Sequence, residues 1–231
     1  DKHLLSLVYT TAFTDVKPYA TVTGAQNSVT DSHSEGQLHN AKLDYQTPFG
    51  LKAGAEFTYY HAPGSQLLYS TLGEETLNFL SKDNQRINQW RFYAGQEHTL
   101  GADWGLNYGV AYTTALDNSY QMYFDPETET LLPDNNMQSR RREQTLNFYA
   151  GLSKSFGEKL STDVSLAAEQ YHTDMWNEWS LYPVANLTYL PAPGHILQFS
   201  LSSDKEYPEY WSMQNSTSYM GAYSEIQGNP F

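Results

Sequence analysis

Large apolar side chains recur at every second position through long parts of this chain. In the segment 105–117, even positions carry large side chains and odd positions carry small or polar ones. The even set is Leu106, Tyr108, Val110, Tyr112, Thr114 and Leu116. Because successive side chains of a β-strand point to opposite faces, this period predicts a strand with one apolar and one polar face. A chain built from such segments is expected to form sheets with a single apolar face.

The same alternation returns along the whole chain and predicts about nine strands, with no convincing helical period. The segments are 5–13, 41–49, 51–59, 90–97, 105–117, 146–153, 160–169, 179–189 and 197–202. The charged residues of these segments stand opposite the apolar row, apart from His98 and Lys154 near strand ends. They are Lys42, Asp44, Lys52, Glu56, Arg91, Glu97, Asp117, Asp163 and Glu169. The predicted fold is all-β, an antiparallel up-and-down meander.

The spacing of the connections separates two architectures, a membrane barrel and a soluble sandwich. Tight turns are predicted near 48–50, 100–104, 156–159 and 191–194, and long polar loops near 20–36, 62–84, 124–141 and 203–231. In a meander this alternation places all tight turns at one end, as in outer-membrane β-barrels. Greek-key sandwiches have no reason to alternate so regularly. Aromatic residues near strand ends would form interfacial girdles: Tyr59, Tyr60, Tyr120, Tyr123, Trp176, Trp179 and Tyr189.

Composition excludes several classes of protein. Only 17% of residues are charged while 15% are aromatic, which fits neither a disordered chain nor a charge-rich helical bundle. No window of about eighteen apolar residues predicts a transmembrane helix, whereas barrel strands need only about ten alternating residues. The net charge of −13 disfavours binding to nucleic acid. The absence of cysteine excludes disulfide scaffolds, thiolate zinc sites and cysteine nucleophiles.

Three features carry a resemblance to a known family. One is the strand–turn–strand run 41–57, and the second is the repeated Tyr-Ala-Gly at 93–95 and 149–151. The third is the proline-aromatic stretch 206–211 leading to the Gly-Asn-Pro-Phe close at 228–231. In these features the chain resembles the barrel of a TonB-dependent receptor, within the outer-membrane β-barrel family common in Bacteroidetes.

The resemblance implies a nutrient transporter of the Gram-negative outer membrane. Residues 1–231 would be a single barrel segment, an excerpt of a longer protein whose plug domain and C-terminal strands lie outside it. Its partners would be outer-membrane lipid, TonB acting through that plug, and a surface lipoprotein. Two alternatives stay open: a small outer-membrane β-barrel with a structural or adhesin role, and a secreted carbohydrate-binding β-sandwich.

No motif for catalysis, a cofactor or a metal is visible, so we expect no enzyme activity. Two weak acid–base groupings, Glu169 with His172 and Asp174, and Asp31 with His33, are better interpreted as hydrated surface residues. The acidic residues Asp125, Glu127, Glu129 and Asp134 would supply oxygen ligands for calcium, but a solvated loop tip is the preferred interpretation. The run 140–142 of three arginines would either grip anionic lipopolysaccharide or offset this acidic loop.

Aromatic side chains supply the candidate ligand-binding residues. Tyr207, Tyr210 and Trp211 fall in a predicted loop, where their faces would be free to stack on a flat ligand. For Trp176 and Trp179, a place in a girdle or in loop packing is the preferred interpretation. The predicted ligand site is therefore Tyr207, Tyr210 and Trp211.

Overall fold

The computed structural model describes residues 2–101, 103–133, 135–207, 217–221 and 224–227. These residues form strands and turns. The strands are β1 (Leu4–Val16), β2 (Tyr19–Val22), β3 (Gln26–Gln46), β4 (Leu51–Leu72), β5 (Glu75–Leu100), β6 (Trp104–Phe124), β7 (Met137–Phe156), β8 (Leu160–His172), β9 (Asn177–Tyr189), β10 (Leu197–Ser202), β11 (Thr217–Gly221) and β12 (Ser224–Gln227). Within the described ranges, no helix is long and apolar enough to cross a membrane.

The first ten strands form one antiparallel sheet in chain order, which confirms the predicted meander. The order is β1-β3-β4-β5-β6-β7-β8-β9-β10, and β2 lies beside β3 as a continuation of β1. The break falls at Lys17 and Pro18, because proline has no N–H to donate to the ladder. With β1 and β2 taken as one interrupted strand, every predicted strand is confirmed. Strands β11 and β12 form a separate two-stranded sheet.

The predicted tight turns are confirmed, whereas two of the predicted long loops are wrong and a third, 203–231, contains β11 and β12. Gly50, Gly157 and Gly194 have φ of 90°, 63° and 81° in three of these turns. The segments 20–36 and 62–84, predicted as loops, are mostly strand and reverse direction at Gly24 and Gly73. Their apolar residues are few and fall on both faces, as in Leu67 beside Leu68, which hides the period of two. The hydrogen bonds between backbones form whether or not apolar side chains alternate. β4 therefore pairs with β5 as far as Leu72 and Glu75.

The segment 125–136 is the longest connection described within the sheet, and it folds back on the strands. Leu131 forms a bridge with Phe124, and the Leu132 N–H donates to the Tyr123 carbonyl at 2.8 Å. Leu132 packs against a buried cluster of Leu68, Phe79 and Tyr123. Three of the residues predicted for a girdle therefore need correction: Tyr123 is buried here, and Tyr60 and Trp176 do not lie with the apolar row either.

The register of the sheet staggers steadily from strand to strand. The paired row that begins at Leu5, next to the start of β1, reaches Val110 on β6 and Leu181 on β9. On β1 this row lies about one residue from the end of the strand that carries the tight turns, and on β9 it lies about eight residues from that end. A shift of about seven residues over about seven strand spacings corresponds to a strand tilt of about 35°. Tilts of about 35–45° are typical of transmembrane barrels.

Burial in the sheet is the reverse of that in a soluble domain. The large side chains of the apolar row are exposed, as in Leu7 at 72%, Leu181 at 64% and Phe199 at 60%. Four hydrophobic residues of the described part are buried: Leu68, Phe79, Tyr123 and Tyr171. The accessible surface is 15175 Å², against about 10,600 Å² for a globular protein of this mass. We call the face of the apolar row the apolar face and the opposite one the polar face.

Tyrosine rings cover glycines on the polar face and explain the repeated Tyr-Ala-Gly. A Cβ on Gly54 would meet the Tyr93 hydroxyl at 2.4 Å, and a Cβ on Gly109 would meet the Tyr149 ring at 2.6 Å. Glycine permits a ring to lie flat on the neighbouring strand, a device that stabilises sheets where glycine leaves the backbone bare. The tyrosine side chains therefore lean across two strands and brace the polar face.

Candidate functional site

Charged and amide side chains form several ion pairs and hydrogen bonds low on the polar face, near the tight turns. Lys42 pairs with Asp44 at 3.2 Å, and Lys52 pairs with Glu97 at 3.3 Å. The Tyr93 hydroxyl donates to Asp44, and the Asn40 amide donates to Glu56 at 2.9 Å. The strand parity that predicted a charged wall is thus confirmed in the register of β3, β4 and β5.

A second polar network lies higher on the same face and is more deeply buried. The side chain of Arg141 is 11% exposed and pairs with Glu143. Arg141 also donates to the Tyr171 hydroxyl at 2.6 Å, and that hydroxyl donates to Glu143 at 3.0 Å. These two bonds hold the phenol ring of Tyr171 in one orientation. The hydroxyl oxygen accepts from a cation, Arg141, and the hydroxyl proton is donated to an anion, Glu143.

The oriented ring of Tyr171 is the base of an aromatic cluster with Trp176 and Tyr207. The Tyr171 and Tyr207 rings stack with centroids 4.1 Å apart, and Trp176 lies 5.8 Å from Tyr207. Lys205 stands over the Tyr207 ring at 4.8 Å and pairs with Glu178, a hydrogen bond that raises the pKa of Lys205. The cluster thus combines flat apolar faces with a cation and a carboxylate, a set that suits a flat polar ligand.

The predicted ligand residues are only partly placed. Tyr207 lies in the aromatic cluster, whereas Tyr210 and Trp211 lie outside the described residues. Trp179 is 57% exposed on the apolar face, as predicted for a girdle residue, and Trp176 packs in the cluster. Sequence reasoning missed Tyr171, although its odd position in β8 already placed it opposite the apolar row.

The two acid–base groupings of the sequence are not brought together as sites. Glu169 accepts from Asn147 on the polar face, while His172 lies at an even position of β8, with the apolar row. His33 contacts Asp15 at 3.0 Å and Glu35 at 3.4 Å, both largely exposed, rather than Asp31, with which the sequence grouped it. These contacts agree with the interpretation as hydrated surface residues.

The acidic loop after β6 uses its first carboxylate to build a turn. Asp125 Oδ1 accepts from the backbone N–H of Thr128 at 2.8 Å, from the Thr128 hydroxyl at 2.9 Å and from the Glu127 N–H at 3.0 Å. Within the described ranges, no group of three metal-ligating side chains is present, and Asp134 lies outside them. The geometry favours the interpretation as a solvated loop tip.

This turn is expected to depend on pH. The bonds from Thr128 and then from Glu127 hold the pKa of Asp125 below its ordinary value. A group with a lowered pKa stabilises the folded turn fully at pH values above its unfolded pKa of about 3.9. This stabilisation is lost as pH falls through the lowered pKa.

Hydrogen exchange, corrected for intrinsic rates, should show the Glu127 and Thr128 amides protected at pH 7 and unprotected well below pH 4. Asp125→Ala should abolish the protection at pH 7, and Glu127→Gln should keep it. Unchanged wild-type protection at the lowest pH would contradict the role of Asp125.

Comparison with known proteins identifies the family of this chain. Residues 50–231, most of the chain, match the model of an outer membrane protein beta-barrel family. No curated protein matches the chain. In such barrels the apolar face meets lipid and the polar face lines the interior, which accounts for the exposed apolar row. The chain therefore belongs to the outer membrane protein beta-barrel family and lies in the outer membrane.

Proposed function

We propose that this chain forms part of the wall and mouth of a TonB-dependent receptor that imports a nutrient without chemistry of its own. The observation that carries the proposal is the aromatic cluster of Tyr171, Trp176 and Tyr207, oriented by Arg141 and Glu143 on the polar face. It lies at the end of the barrel wall opposite the tight turns. Ligand contacts at this end would capture a nutrient before it enters the barrel.

The lower polar face supports a second part of the proposal, a plug domain inside the barrel. Lys42, Asp44, Lys52 and Glu97 are still 40–72% exposed in their ion pairs. A wall of this kind offers hydrogen-bonding partners to a folded domain and little apolar surface, so a plug held there would remain able to move. Movement would be driven by TonB, and a surface lipoprotein would close the mouth over the aromatic cluster.

Whole-cell uptake tests this function. Cells with or without the gene are supplied with labelled cobalamin, haem and maltoheptaose, before and after a protonophore collapses the energy that TonB transmits. We expect gene-dependent uptake of at least one class of compound, abolished by the protonophore. Trp176→Ala should weaken capture by about two- to tenfold, because one aromatic stacking contact contributes about 0.5–1.5 kcal/mol.

Trp179→Ala is the matched control, since it removes the same side chain from the apolar face, where 57% of Trp179 is exposed. It should leave uptake unchanged. Gene-dependent uptake that persists with the protonophore would indicate a passive pore. A gene whose deletion changes no uptake but weakens the envelope or adhesion would favour the structural or adhesin alternative.

A further inference from the structure

Basic side chains gather on the apolar-face side of the sheet, above the band of large apolar residues. Arg86 on β5 pairs in register with Asn118 on β6, which pairs with Arg140 on β7. Arg142 follows Arg140 by two positions and so shares its face. Lys82 lies on the same side, with its amine 5.2 Å from the centre of the Phe124 ring. We call Arg86, Arg140, Arg142 and Lys82 the arginine patch.

The carboxylates nearest to the patch on this side of the sheet, Asp31 and Glu35, lie on β3, two strands away from β5. Between β4 and β8, the apolar-face positions above Trp90 are neutral or basic in the described strands. The nearby carboxylates Asp83, Asp117 and Glu143 occupy positions of the opposite parity. Since the chain as a whole carries a net charge of −13, this segregation creates a positive surface on a negative protein.

The three consecutive arginines point to two different faces of the sheet. Arg141 points to the polar face and pairs with Glu143 there. Arg140 and Arg142 are exposed on the other side, and neither takes part in an ion pair of the described residues. The partner of Arg141 is therefore a residue of β7 and not of the acidic loop 125–134, whereas Arg140 and Arg142 face the outside of the wall.

The height of the patch matches the headgroup layer of the outer leaflet. Arg86 stands four residues beyond Trp90 on β5, away from the tight turns, which is about 11 Å along the membrane normal for tilted strands. Trp90, 45% exposed on the apolar face, marks the upper part of the apolar band. The polar layer begins directly above that band, and long arginine side chains can reach down to it.

Between the arginines lies an open depression of about 580 Å³. Its lining includes Arg86 and Arg140 together with the side chains of Asn84, Asn118, Tyr120 and Gln138. Guanidinium groups bind phosphate through two parallel N–H bonds, and amides and a phenol can supply further donors. The lining is thus rich in donors and free of carboxylates, as a phosphate site requires.

We propose that the arginine patch binds the phosphate groups of an anionic lipid in the outer leaflet, and that this lipid is of the lipid A type. Two observations choose a lipid rather than a soluble anion. The patch faces outward from the wall, and it lies directly above side chains that meet hydrocarbon. Bound lipid would hold this sector of the barrel at a defined height in the membrane.

The experiment titrates the full-length protein in detergent micelles with bisphosphorylated lipid A and measures binding by native mass spectrometry. The same acyl chains carrying a headgroup without phosphate serve as the second probe, and inorganic pyrophosphate serves as the third. The test variant is the triple change Arg86→Gln, Arg140→Gln and Arg142→Gln. The matched control, Lys2→Gln with Lys154→Gln and Lys159→Gln, removes the same charge at or near the opposite end of the strands.

We expect the triple variant to lose about a hundredfold in affinity for lipid A, since each basic group near an anionic lipid contributes about tenfold or less. The control should bind like the wild type, the phosphate-free lipid should bind weakly to all variants, and binding of lipid A should weaken as salt rises. Equal binding by the triple variant and the wild type would overturn the proposal. Pyrophosphate binding as tight as that of lipid A would overturn the lipid as the occupant.

Discussion

Val110→Lys is expected to lower the free energy of unfolding by about 2–4 kcal/mol when the protein is folded in lipid vesicles. Val110 lies on the apolar face near the middle of the apolar band of β6, paired with Ala94 and Phe148. A lysine at that depth must either leave its charge in hydrocarbon or distort the bilayer to reach water. Urea titration followed by tryptophan fluorescence, or by the altered gel mobility of the folded barrel, measures the loss.

Ala111→Lys is the matched control for this change, because it adds the same side chain one residue further along β6 and on the opposite face. There the new amine would enter an open, water-accessible cavity of about 250 Å³ lined by charged residues of both signs, Glu97 with Lys52 and Arg91. We expect a cost below about 1 kcal/mol, as for substitutions away from packed or lipid-facing positions. Equal costs for the two lysines would mean that the apolar face does not meet lipid, and a soluble sandwich would then explain the alternation better.

Gly109→Ala is expected to lower the free energy of unfolding by about 1–3 kcal/mol through overpacking. A Cβ at this position would stand 2.6 Å from the Ala94 carbonyl oxygen and 2.6 Å from the Tyr149 ring. The carbonyl belongs to the ladder of β5 and β6 and has little freedom to move, so the backbone must shift slightly and the ring of Tyr149 must also lift from the sheet. The same unfolding titration reports the loss.

Two further variants isolate the cause of that loss. Gly101→Ala places a methyl group where no atom lies within 4 Å, so its effect should stay within about 0.5 kcal/mol. In a Tyr149→Ala background, Gly109→Ala should cost clearly less than in the wild type, because residues in contact are not additive. The contact with the Ala94 carbonyl remains in that background, so an unchanged cost would assign the whole loss to this contact and would contradict a contribution from the Tyr149 ring.

Strand parity carried most of the correct predictions. In β6 and β7 the period of two assigned Val110 and Phe148 to one face and Asn147 to the other, and the observed register preserves both assignments. Prediction failed where that period disappears, in the upper parts of β3, β4 and β5. There few residues face lipid and one buried cluster, Leu68 and Phe79 with Tyr123, packs under the segment after β6, so apolar residues follow no period of two while the backbone hydrogen bonds still form.

In the candidate ligand site, too, only part of the arrangement was predicted from the sequence. Tyr207 was predicted from its aromatic character and its position in a loop, but the residues that orient it, Tyr171 and Arg141, were not. Tyr171 contacts Arg141 across thirty residues of sequence. No local pattern reports such a contact, because it depends on the stagger between β7 and β8 and on the path of the segment after β10.

The sequence by itself determined the fold class, the order of the strands and the face to which each strand residue points, because the pleat converts every second position into one side of the sheet. Only the tertiary structure decided which residues of neighbouring strands meet. The stagger brings Arg86 and Arg140 to one row outside the wall, and it brings Arg141, Glu143 and Tyr171 together inside it. The physical reason is that register is a property of strand pairs, whereas the alternation belongs to each strand alone.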